Sequence, residues 1–401
     1  MAQSTATETS NPDATTSDRR ERRLWTVEIM LFVALSGLGM QMRGALLPTL
    51  AEQWGVSDGL LGLVGPAGTV GYVVTVLAVG VVAGRINTRR YILGGLVIIL
   101  VGVLGMAAAP FFFAFLGFLT LRGLGTGVVR GLDRPMLSHF YPESRGRVFN
   151  LYDLAWAIGA AAGPAVMTLA ISMGDWRLAY YGLAVAFTVV LLFVWRLDTP
   201  EDGDEKPLEI ASALRLLKTP AIAAMALALA FHSGLEGAMF LWLPTFGERV
   251  AGLSTGAANL LLSVFIIAYI PGRVFYSYVT ERVGYSRLVL TIEALVVPVF
   301  YWTFFVAEGQ ATFVGVAVLG VLVSGIFPTV LAFGTEAAPE YSAPVNAIAM
   351  ATGSATLALV PWLLGILIEA YSIRPAMWLP LALTVAVGPI VLLAGRVDPN
   401  L

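Results

Sequence analysis

The stretch Asp198–Thr219, DTPEDGDEKPLEIASALRLLKT, decides how this 401-residue chain is built. It is the longest polar stretch in the interior of the sequence, with the charged run Glu201-Asp202-Gly203-Asp204-Glu205-Lys206-Pro207 at its heart. On each side lie six apolar runs, each long enough to cross a hydrocarbon core that takes roughly 20 helical residues. Before it come Trp25–Thr49, Gly59–Ala83, Tyr91–Ala109, Phe111–Tyr141, Val148–Met173 and Trp176–Arg196. After it come Ala221–Glu248, Ala257–Val279, Leu288–Ala307, Ala311–Gly334, Pro344–Ala370 and Pro375–Gly395. The chain therefore reads as an all-α membrane protein of twelve transmembrane helices in two six-helix bundles. The expected divisions are a disordered cytoplasmic tail at 1–24, a first bundle at 25–197, a cytoplasmic linker at 198–219, a second bundle at 220–396 and a short tail at 397–401. Within the linker, Ile210–Lys218 has the pattern of a short amphipathic helix lying on the inner surface.

Composition agrees. Hydrophobic residues make up 58% and charged residues 12%, about half the charged share of soluble domains, and the mean hydropathy is +0.81. Residues 1–24 are polar and carry no apolar core of a cleavable signal. Arginines set the orientation, because basic residues collect on the cytoplasmic side. With the N-terminus inside, 16 of the 24 basic residues fall in cytoplasmic segments and only Arg177, Arg249 and Arg374 fall outside. The expectation is a multi-pass plasma-membrane protein with both termini cytoplasmic. There are no cysteines and two histidines, so no disulfide, thiolate or histidine-rich metal site is expected. A net charge of −2 argues against a nucleic-acid partner. No phosphate-binding loop and no catalytic triad occur, so neither ATP drive nor an enzyme is expected, and no cofactor. The expected partners are the lipid bilayer, a small-molecule substrate and a coupling proton, with the chain as a monomer.

A repeat links the halves. The second span is followed by Gly80-Val81-Val82-Ala83-Gly84-Arg85-Ile86-Asn87-Thr88-Arg89-Arg90, and the eighth by Thr280-Glu281-Arg282-Val283-Gly284-Tyr285-Ser286-Arg287. Both resemble the loop motif G-x-x-x-D-R-x-G-R-R/K of the major facilitator superfamily. The resemblance implies two bundles related by pseudo-two-fold symmetry that rock about a midplane site, the alternating-access scheme. It also implies a charge lock on the cytoplasmic gate, with Arg85, Arg89, Glu281 and Arg282 as candidates. Gly84 stands where the motif carries its Asp, so the first loop lacks the acid of that lock. A narrower set (Gly44–Pro48, Gly55–Asp58, Gly65–Gly71, Gly125–Pro135, Gly234–Glu236, Trp242–Pro244 and Gly325–Thr329) resembles the fucose–galactose–glucose:proton symporters. That family uses one acid in the first helix and one in the fourth, and the matching positions here are Gly44 and Arg130. If protons are coupled, other residues carry them.

Charges left inside the spans are the candidate working parts, since each is costly unless it faces a cavity or a partner. Arg43, beside Gln41, either snorkels to the outer interface or presents its fork of donors to an anionic or hydroxyl-rich substrate. Arg122 matches the superfamily's fourth-helix R-x-x-G element, which implies an inward-facing arginine linked to proton transfer. Arg130, Asp133 and Arg134 share one helix face at i, i+3 and i+4. With Asp153 of the fifth span they read as an ion-pair cluster at the inner gate, where Arg273 also falls. His232 and Glu236, at i and i+4, stack on one face of the seventh span. Because histidine titrates near neutrality, the pair can load and release a proton, or it is merely a hydrogen-bonded structural pair. Glu28 and Glu369 read as interfacial, and Glu293 as peripheral. Tyr152, Trp156, Trp242, Tyr269 and Trp362 are the aromatic candidates for stacking on a ligand. The functional expectation is a secondary transporter of a sugar or sugar-like solute. An organic-anion carrier using Arg43 and Arg122, and a polyspecific drug exporter, stand as alternatives.

Overall fold

The computed structural model describes residues 12–82, 86–141, 144–198, 215–338 and 341–397. Among them twelve helices are long and apolar enough to cross a membrane. We number them α1 (Arg19–Trp54), α2 (Asp58–Gly80), α3 (Thr88–Ala108), α4 (Phe112–Phe140), α5 (Arg147–Ser172), α6 (Arg177–Arg196), α7 (Pro220–Arg249), α8 (Thr255–Thr280), α9 (Tyr285–Val306), α10 (Ala311–Ala337), α11 (Val345–Tyr371) and α12 (Ile373–Leu393). Each corresponds to one expected span. Helices are the form an apolar run takes in lipid, because they satisfy every backbone polar group internally. The helix of α1 begins earlier than expected, at Pro12. This corrects the expectation of a disordered tail for residues 12–24, and residues 1–11 lie outside the described residues. So do Gly84, Arg85 and most of the linker, including Ile210–Leu214 of its expected amphipathic helix.

Small residues let the helices approach. In the first bundle α1 packs on α5, α2 on α4, and α3 on both α4 and α6. Where α5 crosses α1, a methyl on Gly159 would fall on the carbonyl oxygen of Ala34, so only a glycine permits that contact. In the second bundle α7 packs on α11 and α12, and α8 on α10. Breaks in the helices coincide with glycine: α10 is interrupted at Ser324–Gly325, and Gly284, at φ 83°, separates α8 from α9.

The bundles meet along three helix pairs, α1–α7, α2–α11 and α5–α8. Because the spans alternate in direction, the helix ends fall into two sets. One is the terminal end, where the chain enters α1 and leaves α12; the other is the far end, which holds the turns at 55–57, 250–254 and 372. The hydrogen bonds and ion pairs described between bundles all come from the far half. Arg249 donates to both oxygens of Asp58 at 2.6 and 2.9 Å. The Gly59 amide donates to Glu369 Oε2 at 2.8 Å. Asn259 donates to Thr168 and Ser263 to the Ala161 carbonyl, both at 2.8 Å. α4 packs on α1, α2, α3 and α5, while α10 packs on α7, α8, α9 and α11. Among the described residues, the polar ties between the two bundles thus lie at the far end.

Candidate functional site

A narrow crevice of about 20 Å³, room for about one water molecule, lies where the two bundles meet. Met40 and Arg43 of α1, Gly65 and Thr69 of α2, Gly237, Phe240 and Leu241 of α7, and Leu357 and Pro361 of α11 line it. Its wall is apolar and aromatic, with one cation. The Arg43 side chain is half-buried; Nε donates to the Met40 carbonyl at 2.9 Å and Nη1 to the Val64 carbonyl at 3.5 Å. Gly68 makes room for it, since a methyl there would fall on Arg43 Nη1. Among the described residues Arg43 makes no salt bridge. Arg43 is thus part of the pocket lining. Thr69 supplies a hydroxyl, already donating to the Gly65 carbonyl at 3.0 Å.

Arg122 lies deeper, inside the first bundle. It is 6% exposed, and Nη2 donates to the Ser36 carbonyl at 3.3 Å while Nε has no partner. Its guanidinium rests on Gly39, where a methyl would come within 2.6 Å of Nη2. It too makes no salt bridge among the described residues, and it is close enough to Arg43 to repel it. Gln41 is fully buried at the α1–α5 crossing against Gly163, away from the pocket lining, with no partner for either amide atom.

Across the interface, His232 and Glu236 of α7 face each other at 3.5 Å, as their spacing required. Tyr269 of α8 donates its hydroxyl to Glu236 at 2.8 Å, and Arg273 lies 5.7 Å from the Tyr269 ring. Glu236 keeps 14% of its side chain exposed, whereas His232 keeps none. Trp156 of α5 reaches over to Phe240 of α7, with ring centroids 6.4 Å apart. The other aromatic candidates are structural in position. Trp242 is buried and donates to the Pro361 carbonyl at 2.8 Å. Tyr152 is buried with its hydroxyl on Asp133. Trp362 is half-buried, with its backbone against Gly62 of α2.

The charged residues expected at a gate stay within one bundle in this conformation. Arg134 bonds Asp153 at 2.9 Å, tying α4 to α5, and both Arg130 and Arg134 lie over the Tyr152 ring at 4.8 and 4.9 Å. The carboxylate of Asp133 accepts from Tyr152 at 2.5 Å and from the Arg134 amide at 2.6 Å. Arg89 donates to the Trp195 carbonyl at 2.6 Å, and Arg282 is exposed. Arg85 and the side chain of Glu281 lie outside the described residues. The residues that do bridge the bundles, Asp58, Arg249 and Glu369, were not singled out in the sequence as a gate. Glu28 and Glu293 are 0% and 6% exposed, and each has an unpartnered carboxylate oxygen.

The sequence model of the Major Facilitator Superfamily matches residues 29–340 and 251–400. The uncharacterized transporter YycB of Bacillus subtilis is 24% identical over 292 residues, 70% of this chain and 69% of that protein. The 4-hydroxybenzoate transporter PcaK of Pseudomonas putida is 27% identical over 183 residues, 43% of this chain and 40% of that protein. Among solved structures, a bacterial homolog of the human lysosomal transporter Spinster, inward-facing and unoccupied, superposes with a TM-score of 0.81 at 16% identity, covering 94% of this chain and 97% of that one. Twelve spans, two bundles and a pocket between them agree with the sequence match, and the chain belongs to the major facilitator superfamily, a transporter and not an enzyme.

Proposed function

We propose that this secondary transporter carries a small organic anion, a carboxylate on an apolar or aromatic body, and couples it to protons through His232 and Glu236. The observation that carries the reading is Arg43: a cation on the pocket wall whose partners are backbone carbonyls, with no carboxylate pairing it among the described residues. A guanidinium in that position offers the paired donors a carboxylate accepts. The apolar surfaces of Met40, Phe240, Leu241 and Leu357 suit the rest of such a molecule. A sugar would need several donors and acceptors around its ring, and beside Arg43 the pocket's side chains offer one hydroxyl, that of Thr69. A lipophilic cation would be repelled by Arg43. That a partial relative carries the name of a 4-hydroxybenzoate transporter supports the anion reading.

The arginine bias supports a cytoplasmic terminal end, which would put the polar ties between the bundles on the outer side. The test is a thermal-shift screen of the purified protein with benzoate-type carboxylates, hexoses and lipophilic cations, since a ligand of the native state raises its stability with concentration. A shift with carboxylates that disappears in Arg43→Gln is expected. A shift with hexoses alone would return the sugar reading. For coupling, Glu236→Gln should abolish proton-driven accumulation while sparing counterflow, and unchanged accumulation would sink that assignment.

A further inference from the structure

The outer surface of the first bundle carries two arginines that neither the pocket nor the contacts between bundles use. α3 and α6 pack on each other, and each turns an apolar stripe outward. On α3 the exposed residues Arg90, Gly94, Val97, Val101 and Leu104 follow one another at steps of four and three, so they share one helix face. On α6 the exposed Arg196, Leu192, Val189 and Val185 do the same. In each helix an arginine thus heads a run of outward apolar side chains.

The two arginines stand at the same depth. α3 has 21 residues and α6 has 20, about 30 Å of helix each, which matches the hydrocarbon core of a bilayer. Their terminal ends are joined: Arg89 Nη2 donates to the Trp195 carbonyl at 2.6 Å, giving a donor to one of the last carbonyls of α6, which lack partners within the helix. Arg90 follows Arg89 and Arg196 follows Trp195, so both reach the boundary between acyl chains and headgroups. The exposed Tyr91 and Trp195 are the aromatics expected at that boundary. Arg89 is committed to its bond, but Arg90 and Arg196 make no ion pair among the described residues. The nearby acid Asp198 makes none either, and its carbonyl accepts from the Trp25 indole at 3.2 Å. One turn below Arg90 the stripe is open, since a methyl on Gly94 would meet nothing within 4 Å.

We propose that the terminal end of the α3–α6 pair binds an anionic phospholipid, with Arg90 and Arg196 on its phosphate and an acyl chain along the stripe that passes Gly94. Unpaired guanidinia at headgroup level complement the phosphate, and the stripes below them complement the hydrocarbon. The occupant is a lipid because a soluble phosphate would leave those stripes without a partner. The site is separate from Arg43 and from the His232–Glu236 pair, and it stands whatever solute the protein carries.

The experiment is native mass spectrometry of the full-length protein in detergent, titrated with phosphatidylglycerol, phosphatidylcholine or glycerol 3-phosphate. Wild type should take up one phosphatidylglycerol at a lower concentration than it needs for phosphatidylcholine. Arg90→Gln combined with Arg196→Gln should weaken that binding roughly tenfold or more, with phosphatidylcholine uptake unchanged. Arg19→Gln combined with Arg20→Gln removes the same charge from the start of α1 and should leave it unaltered. All four side chains are exposed, so neither pair of changes disturbs the packing. Equal losses in the two double variants would reduce the effect to overall charge and overturn the proposal, as would no loss in either. Uptake of glycerol 3-phosphate at the concentration that suffices for the lipid would also overturn it, by showing a site for phosphate alone.

Discussion

Breaking the pair between Asp58 and Arg249 should open the far end. The two residues lie 191 positions apart and join α2 of one bundle to α7 of the other through two short hydrogen bonds, 2.6 and 2.9 Å. Paired N–H···O contacts of this fork-to-carboxylate type are about twice as strong as neutral hydrogen bonds. The Arg249 and Asp58 side chains are 40% and 17% exposed, which returns much of that strength to solvent, since exposed pairs are worth about 0.2–1 kcal/mol. Between these limits we expect about 1 kcal/mol, and a loss of that size enlarges the outward-open population about fivefold. The chain has no cysteine, so a single Thr69→Cys in the pocket can be labelled without background. An impermeant maleimide applied outside should react about five times faster when Asp58→Asn or Arg249→Gln is added. Exchanging the two charges, Asp58→Arg with Arg249→Asp, should slow labelling again, as coupling between contacting residues requires. Equal rates in all four proteins would refute the assignment of this pair as a lock.

Three further outcomes test the packing around the site. Gly68→Ala puts a methyl on Arg43 Nη1 and should weaken carboxylate binding about tenfold, roughly 1.4 kcal/mol, while the melting temperature of the ligand-free protein changes little. Tyr152→Phe strips a buried carboxylate of one donor and should cost about 1–3 kcal/mol of stability, seen as a lower melting temperature without any ligand. Gly159→Ala drives a methyl into the Ala34 carbonyl oxygen, a backbone atom that cannot turn aside. It should cost about 3 kcal/mol or more by forcing α1 and α5 apart, and fluorescence-detected size exclusion would register the loss of folded protein.

What could be read in the sequence divides along a physical line. Spans were legible because apolar length is a property of consecutive residues, and the central polar stretch separated six from six. The facing of His232 and Glu236 was legible too, because residues four apart on one helix are neighbours whatever the helix packs against. Partners on different helices were not. Nothing in the sequence links Glu236 to Tyr269, or Asp58 to Arg249, because a bond between helices depends on rotation about both axes. Glu28 shows the limit most clearly. Its position near the start of an apolar run gave its depth, whereas the burial of its side chain depends on the rotation of α1 against α4 and α5. The partner of Trp242 was equally hidden: its indole N–H donates to the Pro361 carbonyl and so ties α7 to α11.

Arg43 and Arg122 show why one residue type has two fates in one bundle. Both guanidinia rest on glycines, Gly68 and Gly39, both bond only backbone carbonyls, and neither has a carboxylate partner among the described residues. They differ in depth: Arg43 borders the pocket, whereas Arg122 is sealed behind α1 at Ser36 and Gly39. The two positive charges repel each other, with no carboxylate partner for either among the described residues. An incoming anion would meet Arg43 directly and Arg122 through a short span of low-dielectric protein, where charges act further than in water. Arg122 would thereby add attraction without contact. On the proposed reading, Arg122→Gln should therefore weaken carboxylate binding less than Arg43→Gln, and should leave the choice among carboxylates of different shape unchanged, because only Arg43 would touch the ligand. Equal losses in the two variants, together with a changed order of preference in Arg122→Gln, would place Arg122 in direct contact and overturn this division of labour.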